Sequence, residues 1–224
     1  MRSFLSGIAA HRREAYIEKL IIKMNSKASY FNSSRTPAWR AYRKAEKLKD
    51  PEYLPIIKAY LERYPGKEYR DQRHSAYFIM GHLLRKMPDA EYIRYYIACL
   101  EKEDSELQQI ILLRLGHISI PREQSMDAVI ELAGKDDWRI RWNAIYALGS
   151  QNTERCKEVL RAVIALEDHK TYRDDIITAQ AAIMKIADQT ELELIEKNLS
   201  SKSKKIRESA EFVVNWIREH GESS

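Results

Sequence analysis

Side chains that commonly do chemistry are present in this 224-residue chain, but their spacing forms no familiar catalytic set. Six histidines and two cysteines, Cys99 and Cys156, are the candidate bases, nucleophiles and metal ligands. The spacing contains no Ser-His-Asp or Cys-His arrangement, glycine-rich phosphate loop or paired-cysteine zinc motif. We therefore predict no catalytic residues, no metal site and no cofactor. A site assembled from distant segments is the alternative.

Two histidines have the spacing that a shared metal site could use. His82 and His117 each follow a glycine, and both glycines end predicted helices about one repeat apart. No cysteine or carboxylate accompanies either histidine at ligand spacing. Because the helix dipole alone favours histidine near a helix C-terminus, the sequence favours a structural role for both.

Cations recur where helices are predicted to begin, and they are candidates for contacting a partner. The candidates are Arg73, Arg139, Arg141, Arg173, Lys204 and Arg207, with Trp142 available for stacking. They could bind phosphates or an acidic protein surface. Alternatively, the nearby carboxylates Asp71, Asp136, Asp137, Asp174 and Asp175 cap the same helices and pair with these cations. The sequence favours pairing, since the two signs are interspersed.

Positive charge is concentrated near the N-terminus. Residues 1–49 carry a net charge of +9, whereas residues 50–224 carry −4. Arg35, Arg40, Arg43 and Lys44 are the candidate binding residues in this segment. A polyanion or an acidic protein surface is the partner that such charge attracts, and a solvated helix face is the alternative.

These residues lie on a repeated helical pattern. Residues 136–149, DDWRIRWNAIYALG, contain the frame Arg141, Ala144, Leu148 and Gly149. The same offsets end at Gly81, Gly116, Gly149, Met184 and Asn215, in steps of 35, 33, 35 and 31 residues. Four of the five units have alanine at the second frame position, where neighbouring helices must approach closely. Each framed segment is preceded by another segment whose apolar residues fall at helical spacing. This arrangement predicts two helices per repeat.

Residues 136–149 resemble the second-helix signature of HEAT repeats. The resemblance implies an all-α, HEAT-like helical-repeat solenoid, an α-α superhelix whose concave face is made of second helices. We predict a basic N-terminal helical cap over residues 1–49 and five two-helix repeats over residues 50–224, within one domain. In the cap, residues 9–24 form an amphipathic helix, and Thr36 with Pro37 begins another helix.

A second resemblance involves the segment from Tyr30 to Arg40. Its aromatic pair and Thr-Pro-x-x-Arg pattern resemble the N-terminal region of AlkD-like alkylpurine DNA glycosylases, with Ser33 where that family has a glycine. That family's first tryptophan aligns near Asp104, its catalytic aspartate near Gln108 and its second tryptophan near Ala182. None of the three residues matches. A neutral glutamine cannot offset positive charge that develops on a sugar. The resemblance therefore implies a shared fold without the family's active site.

These observations favour a non-enzymatic scaffold that binds a protein or a nucleic acid, duplex DNA among them. The alternative is an AlkD-like DNA alkylation repair protein that is catalytically divergent or only binds DNA. The sequence lacks a signal-peptide pattern and any run of about twenty apolar residues. Two cysteines do not form a disulfide scaffold in a chain of this size. We therefore expect a cytoplasmic monomer without membrane association.

Overall fold

The computed structural model describes residues 2–26 and 36–220, in which α-helices and short 3-10 turns are joined by loops without any strand. The N-terminal helices are α1 (Arg2–Met24), α2 (Pro37–Ala45), α3 (Tyr53–Arg63) and α4 (Arg70–Lys86). The others are α5 (Ala90–Ala98), α6 (Ser105–Leu115), α7 (Asp127–Ala133), α8 (Trp138–Leu148), α9 (Glu154–Ile164), α10 (Arg173–Ile183), α11 (Leu192–Lys197) and α12 (Lys204–His220). The all-α class predicted from the sequence is confirmed.

The chain divides into two compact units, residues 1–92 and residues 93–224. In the first unit, α1 packs against α2, α3 and α4, and α3 packs against α4. The apolar stripe of α1 is buried at Ile17, Leu20, Ile21 and Met24, as its spacing predicts. This helix begins at Arg2. It is therefore longer than the predicted segment of residues 9–24.

The second unit is a stack of helix pairs. Its second helices are α6, α8, α10 and α12, and each of them packs against the next in this order. The first helices α7, α9 and α11 pack against α8, α10 and α12 respectively. The predicted repeat frame lies on these second helices and on α4 of the first unit. Each pair buries its apolar stripe only by stacking on a neighbour, as in helical-repeat proteins.

Small frame residues permit the close stacking in the second unit. A Cβ added to Gly149 would lie 2.4 Å from the backbone carbonyl oxygen of Ala182 on α10. A Cβ on Gly116 would lie 2.3 Å from the ring of Tyr146 on α8. Ala144 is also completely buried. These contacts give the small residues a packing role, because larger side chains would push the neighbouring helix away.

The polar residue at the first frame position holds the end of the preceding first helix. Arg73 donates hydrogen bonds to the carbonyls of Leu61 and Tyr64, both 2.7 Å long. In the later repeats, Gln108 donates to Leu100 (2.8 Å), Arg141 to Lys135 and Asp136 (2.9 and 3.1 Å), and Arg207 to Ser201 (2.6 Å). All these carbonyls lie at or just beyond the C-terminal end of a first helix, where backbone acceptors lack helical partners. Four of the five repeats therefore have a capping bond between their two helices, whereas the fourth has the apolar Ile176 at this frame position.

A buried ionic cluster fixes the turn before α11. The Glu191 side chain is buried and lies 2.5 Å from Arg161 and 3.7 Å from Lys157 of α9. Asp188 accepts a hydrogen bond of 2.9 Å from Lys157. A hydrogen bond from the Thr190 hydroxyl, followed by the one from Lys157, holds the pKa of Asp188 well below its usual range. This cluster positions the start of α11 against α9.

Candidate functional site

The N-terminal halves of α8, α10 and α12 line a groove in the second unit, which we call the tryptophan groove. It has a volume of about 770 Å³. Its lining residues are Trp138, Arg141, Trp142, Thr171, Asp174, Asp175, Ile177, Thr178 and Lys205. Consecutive second helices supply these side chains, so the repeat stack itself forms the groove.

Two exposed tryptophans make one wall of the tryptophan groove. Trp138 is 62% exposed and Trp142 is 40% exposed. They lie four residues apart on α8, which places both indoles on one face of the helix. Asp137 begins this helix, because its carboxylate accepts the N–H of Arg139 at 3.0 Å. Exposed tryptophans are enriched at protein interfaces, where a bound partner removes the indole from water.

An ion pair between repeats forms the floor of the tryptophan groove. Arg141 of α8 donates to Asp175 of α10 at 2.7 Å, and the two side chains are only 19% and 7% exposed. The guanidinium of Arg141 also lies 5.8 Å from the ring centroid of Tyr172. With its two carbonyl bonds, this arginine is fully engaged inside the unit. It positions α8 on α10 and is not available to a ligand.

The other candidate cations of the second unit, Arg139, Arg173 and Lys204, make different contacts. Arg173 pairs with its neighbour Asp174 at 2.9 Å, and Lys204 lies 3.5 Å from Glu208. The guanidinium of Arg139 lies over the ring of Trp138, 5.5 Å from its centroid. The geometry therefore agrees with pairing between interspersed charges at Asp174 and Asp175. Arg139 is exposed and makes no ion pair with the residues that the structure describes.

The structure places Arg73 inside the first unit. This side chain was a candidate for partner binding, but the residue is only 7% exposed. Its guanidinium donates to two backbone carbonyls and lies 3.3 Å from the Tyr77 hydroxyl. A cation held in this way has a structural role, because withdrawing it would leave buried carbonyls without donors.

The candidates Arg40, Arg43 and Lys44 lie on the exposed face of α2, opposite the buried Ala41 and Ala45. The predicted start of this helix is confirmed, since the Thr36 hydroxyl accepts the N–H of Trp39 at 3.1 Å and Pro37 is the first helical residue. Arg43 pairs with Glu46 at 2.6 Å and lies 5.4 Å from the ring centroid of Trp39. Arg35 lies outside the described residues.

A second, polar groove adjoins the first at the start of α10, and the sequence pattern did not single it out. This serine-lysine groove has a volume of about 670 Å³ and is lined by Glu167, Asp168, His169, Lys170, Arg173, Ser200, Ser201, Lys202 and Ser203. The basic run from Lys202 to Arg207 is the signal in the sequence that marks one of its walls.

The serine-lysine groove contains a serine next to a histidine, but not a catalytic triad. Ser201 Oγ lies 2.6 Å from His169 Nδ1 and accepts the N–H of Ser203 at 3.2 Å. The carboxylate of Asp168 accepts the N–H groups of Lys170 and Thr171 instead of orienting the imidazole. The hydroxyl and the imidazole therefore join the loop before α10 to the loop before α12.

The described residues contain no group of three or more His, Cys, Asp or Glu side chains that could hold a metal ion. His117 lies 3.4 Å from the Tyr146 hydroxyl, and the ring of His82 lies 4.5 Å from that of Phe78. Both cysteines are buried, and burial raises the pKa of the Cys156 thiol. Across residues 2–26 and 36–220, no helix is long and apolar enough to cross a membrane.

The three places that align with glycosylase residues have structural contacts. Asp104 caps α6 by accepting the N–H groups of Glu106 and Leu107. Gln108 donates to the Leu100 carbonyl, and Ala182 packs against Gly149. Gln108 has no charge to offset a cationic sugar, and neither Asp104 nor Ala182 has a ring that could stack on a base.

The comparisons with known proteins agree with this geometry. Residues 93–181, which include α6, α8 and most of α10, match the family model for HEAT repeats. The HEAT-type pattern is confirmed there. No curated protein matches the chain.

Solved structures of engineered repeat proteins are similar to this chain in fold. An engineered protein from the Northeast Structural Genomics Consortium is 18% identical, with a TM-score of 0.53 over 92% of this chain and 97% of that chain. A designed armadillo repeat protein in complex with the peptide (KR)4 is 14% identical, with a TM-score of 0.51 over 90% and 99% of the two chains. These likenesses show the fold, an armadillo- or HEAT-like helical-repeat solenoid.

Proposed function

We propose that this protein is a non-enzymatic helical-repeat scaffold that binds a segment of a partner protein in the tryptophan groove. The observation that carries the proposal is the pair of exposed indoles, Trp138 and Trp142, beside Ile177 in a groove of about 770 Å³. A groove of this volume accommodates several side chains of a peptide. Burying two indoles against a partner removes a large apolar area from water, which is how binding hot spots gain most of their free energy.

The fixed framework around the indoles supports the proposal. Asp137 caps α8, and the pair formed by Arg141 and Asp175 links α8 to α10, so the groove exists before a partner arrives. Preformed surfaces lose little conformational entropy on binding. Stacked helical repeats can bind peptides, as the designed armadillo protein in its (KR)4 complex illustrates. No cofactor or metal enters this proposal.

Selection from a displayed library of random peptides tests the proposal. We expect enriched peptides to bind the wild-type protein with micromolar affinity and to lose at least about tenfold in affinity with Trp138→Ala/Trp142→Ala. Trp39→Ala is the matched control, because Trp39 is 41% exposed and lies in the other unit. Circular dichroism of each variant checks the fold. Enriched peptides that bind the double variant as tightly as the wild type would contradict the proposed site.

Nucleic-acid binding by the first unit is the second candidate function, in line with a DNA-binding relative of the AlkD-like proteins. Exposed cations on and just after α2 favour it: Arg40, Arg43, Lys44, Lys47 and Lys49. Burial, together with the charges of Lys49 and Arg85, lowers the pKa of Lys86. Positive charge is therefore concentrated at this surface. Phosphate groups bind such surfaces without reading a sequence.

A further inference from the structure

The exposed face of α2 in the first unit combines an aromatic ring with positive charge. Trp39 is 41% exposed. Arg43 follows one helical turn later, and its guanidinium lies 5.4 Å from the centroid of the Trp39 ring. Arg40 and Lys44 are exposed on the same helix. This face therefore offers a planar apolar ring among cations.

The carboxylates of this segment are already paired. Residues 36–50 contain two of them, Glu46 and Asp50. Glu46 pairs with Arg43 at 2.6 Å, and Asp50 pairs with Arg13 of α1 at 3.2 Å. The other cations of the segment are exposed and make no ion pair with the residues that the structure describes: Arg40, Lys44, Lys47 and Lys49. Within residues 36–50, the unpaired charge is therefore entirely positive.

The remainder of the first unit does not cancel this charge. Lys86 of α4 donates to the backbone carbonyls of Glu46 and Leu48, which places one more cation at the end of α2. Burial, followed by the charges of three carboxylates that gather around it, raises the pKa of Tyr92; they are Glu91, Asp89 and Glu52. Residues 10–26 and 36–92 contain sixteen Lys or Arg and ten Asp or Glu, and residues 1–9 and 27–35 contain no Asp or Glu. The excess of positive charge therefore holds for the whole unit.

Contacts within the first unit fix the orientation of α2. The Thr36 hydroxyl caps the helix by accepting the N–H of Trp39 at 3.1 Å. Tyr42 packs edge-on against Phe78 of α4, with the ring centroids 4.8 Å apart. The ring and the cations are therefore in place before a ligand arrives, which lowers the entropy cost of binding.

The exposed ring discriminates among the polyanions that such charge attracts. In a duplex, the faces of the bases are stacked on one another and closed to an indole. An unpaired base has a free face that can stack on the ring while its phosphates meet the cations. A run of acidic residues supplies the negative charge but no planar base. Unpaired nucleotides are therefore the ligands that use both features of this face.

We propose that the exposed face of α2 binds a single strand of nucleic acid, with an unpaired base stacked on Trp39 and the neighbouring phosphates on the cations of this helix. This inference rests on the second candidate function, nucleic-acid binding by the first unit, and narrows it to unpaired strands. The tryptophan groove lies in the other unit and takes no part in it.

Four labelled ligands of about twelve units each test the inference by fluorescence anisotropy. They are a thymidine strand, an abasic strand with the same number of phosphates, a duplex of thymidine and adenosine strands, and a polyglutamate peptide. We expect the thymidine strand to bind about tenfold more tightly than the abasic strand, since one stacked base contributes about that factor. It should also bind more tightly than the duplex, although the duplex carries more charge.

Substitutions of Trp39 separate stacking from charge. Trp39→Leu should weaken binding of the thymidine strand about tenfold, to the level of the abasic strand, and change the affinity for the abasic strand and the duplex by less than about twofold. Trp39→Phe keeps an aromatic ring and should retain most of the affinity. Trp138→Leu in the second unit is the matched control and should change none of these affinities. Circular dichroism of each variant checks the fold.

The outcomes separate this inference from the function on which it rests. Equal binding of the thymidine and abasic strands, or unchanged binding of the thymidine strand by Trp39→Leu, overturns stacking and leaves phosphate binding by α2 in place. Tightest binding of polyglutamate overturns both and makes an acidic protein segment the occupant. Failure of all four ligands to bind also overturns both. A uridine strand in place of thymidine distinguishes RNA from DNA, and dependence on Trp39 with either strand supports the inference.

Discussion

Two buried glutamines in the second unit illustrate how much individual polar contacts differ. Gln151 is 2% exposed, and its amide nitrogen donates to the carbonyls of Pro121 and Gln124 at 2.6 and 2.7 Å. Gln180 of α10 is completely buried, but neither of its side-chain polar atoms has a hydrogen-bond partner among the described residues. Desolvating an amide without a compensating bond costs about 1–3 kcal/mol.

Replacing these glutamines with methionine should have opposite effects on stability. Gln180→Met removes the desolvation cost at nearly constant volume, and we expect the free energy of unfolding to increase by about 1 kcal/mol. Gln151→Met is the matched control, which should decrease it by about 1–3 kcal/mol because two carbonyls lose their donor. Urea denaturation followed by circular dichroism measures both. A destabilised Gln180→Met would show that this side chain has partners in solution.

The candidate cations likewise show that residues of the same type can make different contacts. Arg73, Arg141 and Arg207 occupy one frame position and were candidates for partner binding, although the sequence favoured pairing with nearby carboxylates. The structure shows their guanidinium groups donating to carbonyls at or beyond the ends of first helices. Arginine suits this task because it presents several donors in a fixed plane. The exposed cations Arg139 and Lys205, in contrast, remain accessible to ligands.

At the level of helices, the capping bond joins the two helices of each pair except α9 and α10, where the frame position is the apolar Ile176. Two of the first helices are short: α7 has seven residues and α11 has six. Isolated helices of this length are unstable in water. A donor from the following second helix compensates for the unsatisfied carbonyls at their ends. Stacking then adds the apolar contacts between pairs.

Removing one capping arginine tests this role. Arg207→Ala should lower the free energy of unfolding by about 1–2 kcal/mol, because the Ser201 carbonyl loses a charged donor at 2.6 Å. Arg207→Gln should recover part of the loss, since Gln108 already makes the equivalent bond in an earlier repeat. Arg139→Ala is the control and should change stability by less than about 0.5 kcal/mol. Equal losses for Arg207→Ala and Arg139→Ala would refute a capping role.

At the level of the whole molecule, charge is distributed unevenly along the chain. Residues 1–49 carry a net charge of +9, and the remainder carries −4. Such asymmetry produces a positive surface near α2 that the net charge of +5 conceals. A nucleic acid would be attracted to this surface and repelled elsewhere, which predicts a strong dependence on salt.

Duplex DNA of arbitrary sequence tests this second function in a mobility-shift titration. If the first unit binds phosphates, affinity should fall steeply between 50 and 200 mM salt, and Arg40→Glu with Lys44→Glu should weaken it by at least about tenfold. Lys202→Glu with Lys205→Glu, which makes the same charge change in the second unit, should have little effect. Unchanged mobility at low salt would exclude DNA binding through α2.

Much of the fold could be predicted because its determinants are local. The helical period of apolar residues, Thr36 with Pro37 at the start of α2, and the glycines and alanines of the repeat frame all act over a few residues or one close contact. The buried stripe of α1 followed from the same spacing. Trp142 and the cations around α8 were candidate binding residues, although the sequence favoured pairing of the cations with nearby carboxylates.

The remaining features of the candidate site depend on residues that are distant in sequence. The bond from Arg141 to Asp175 spans 34 residues, the contact between Ser201 and His169 spans 32, and Lys205 joins Trp138 in one groove. The angle and spacing at which second helices stack determine these contacts, and a repeat period specifies neither. Sequence alone therefore determined which helices form and which positions must be small. Only tertiary packing decided which charges neutralise each other and which remain for a partner, because pairing requires atoms within about 4 Å.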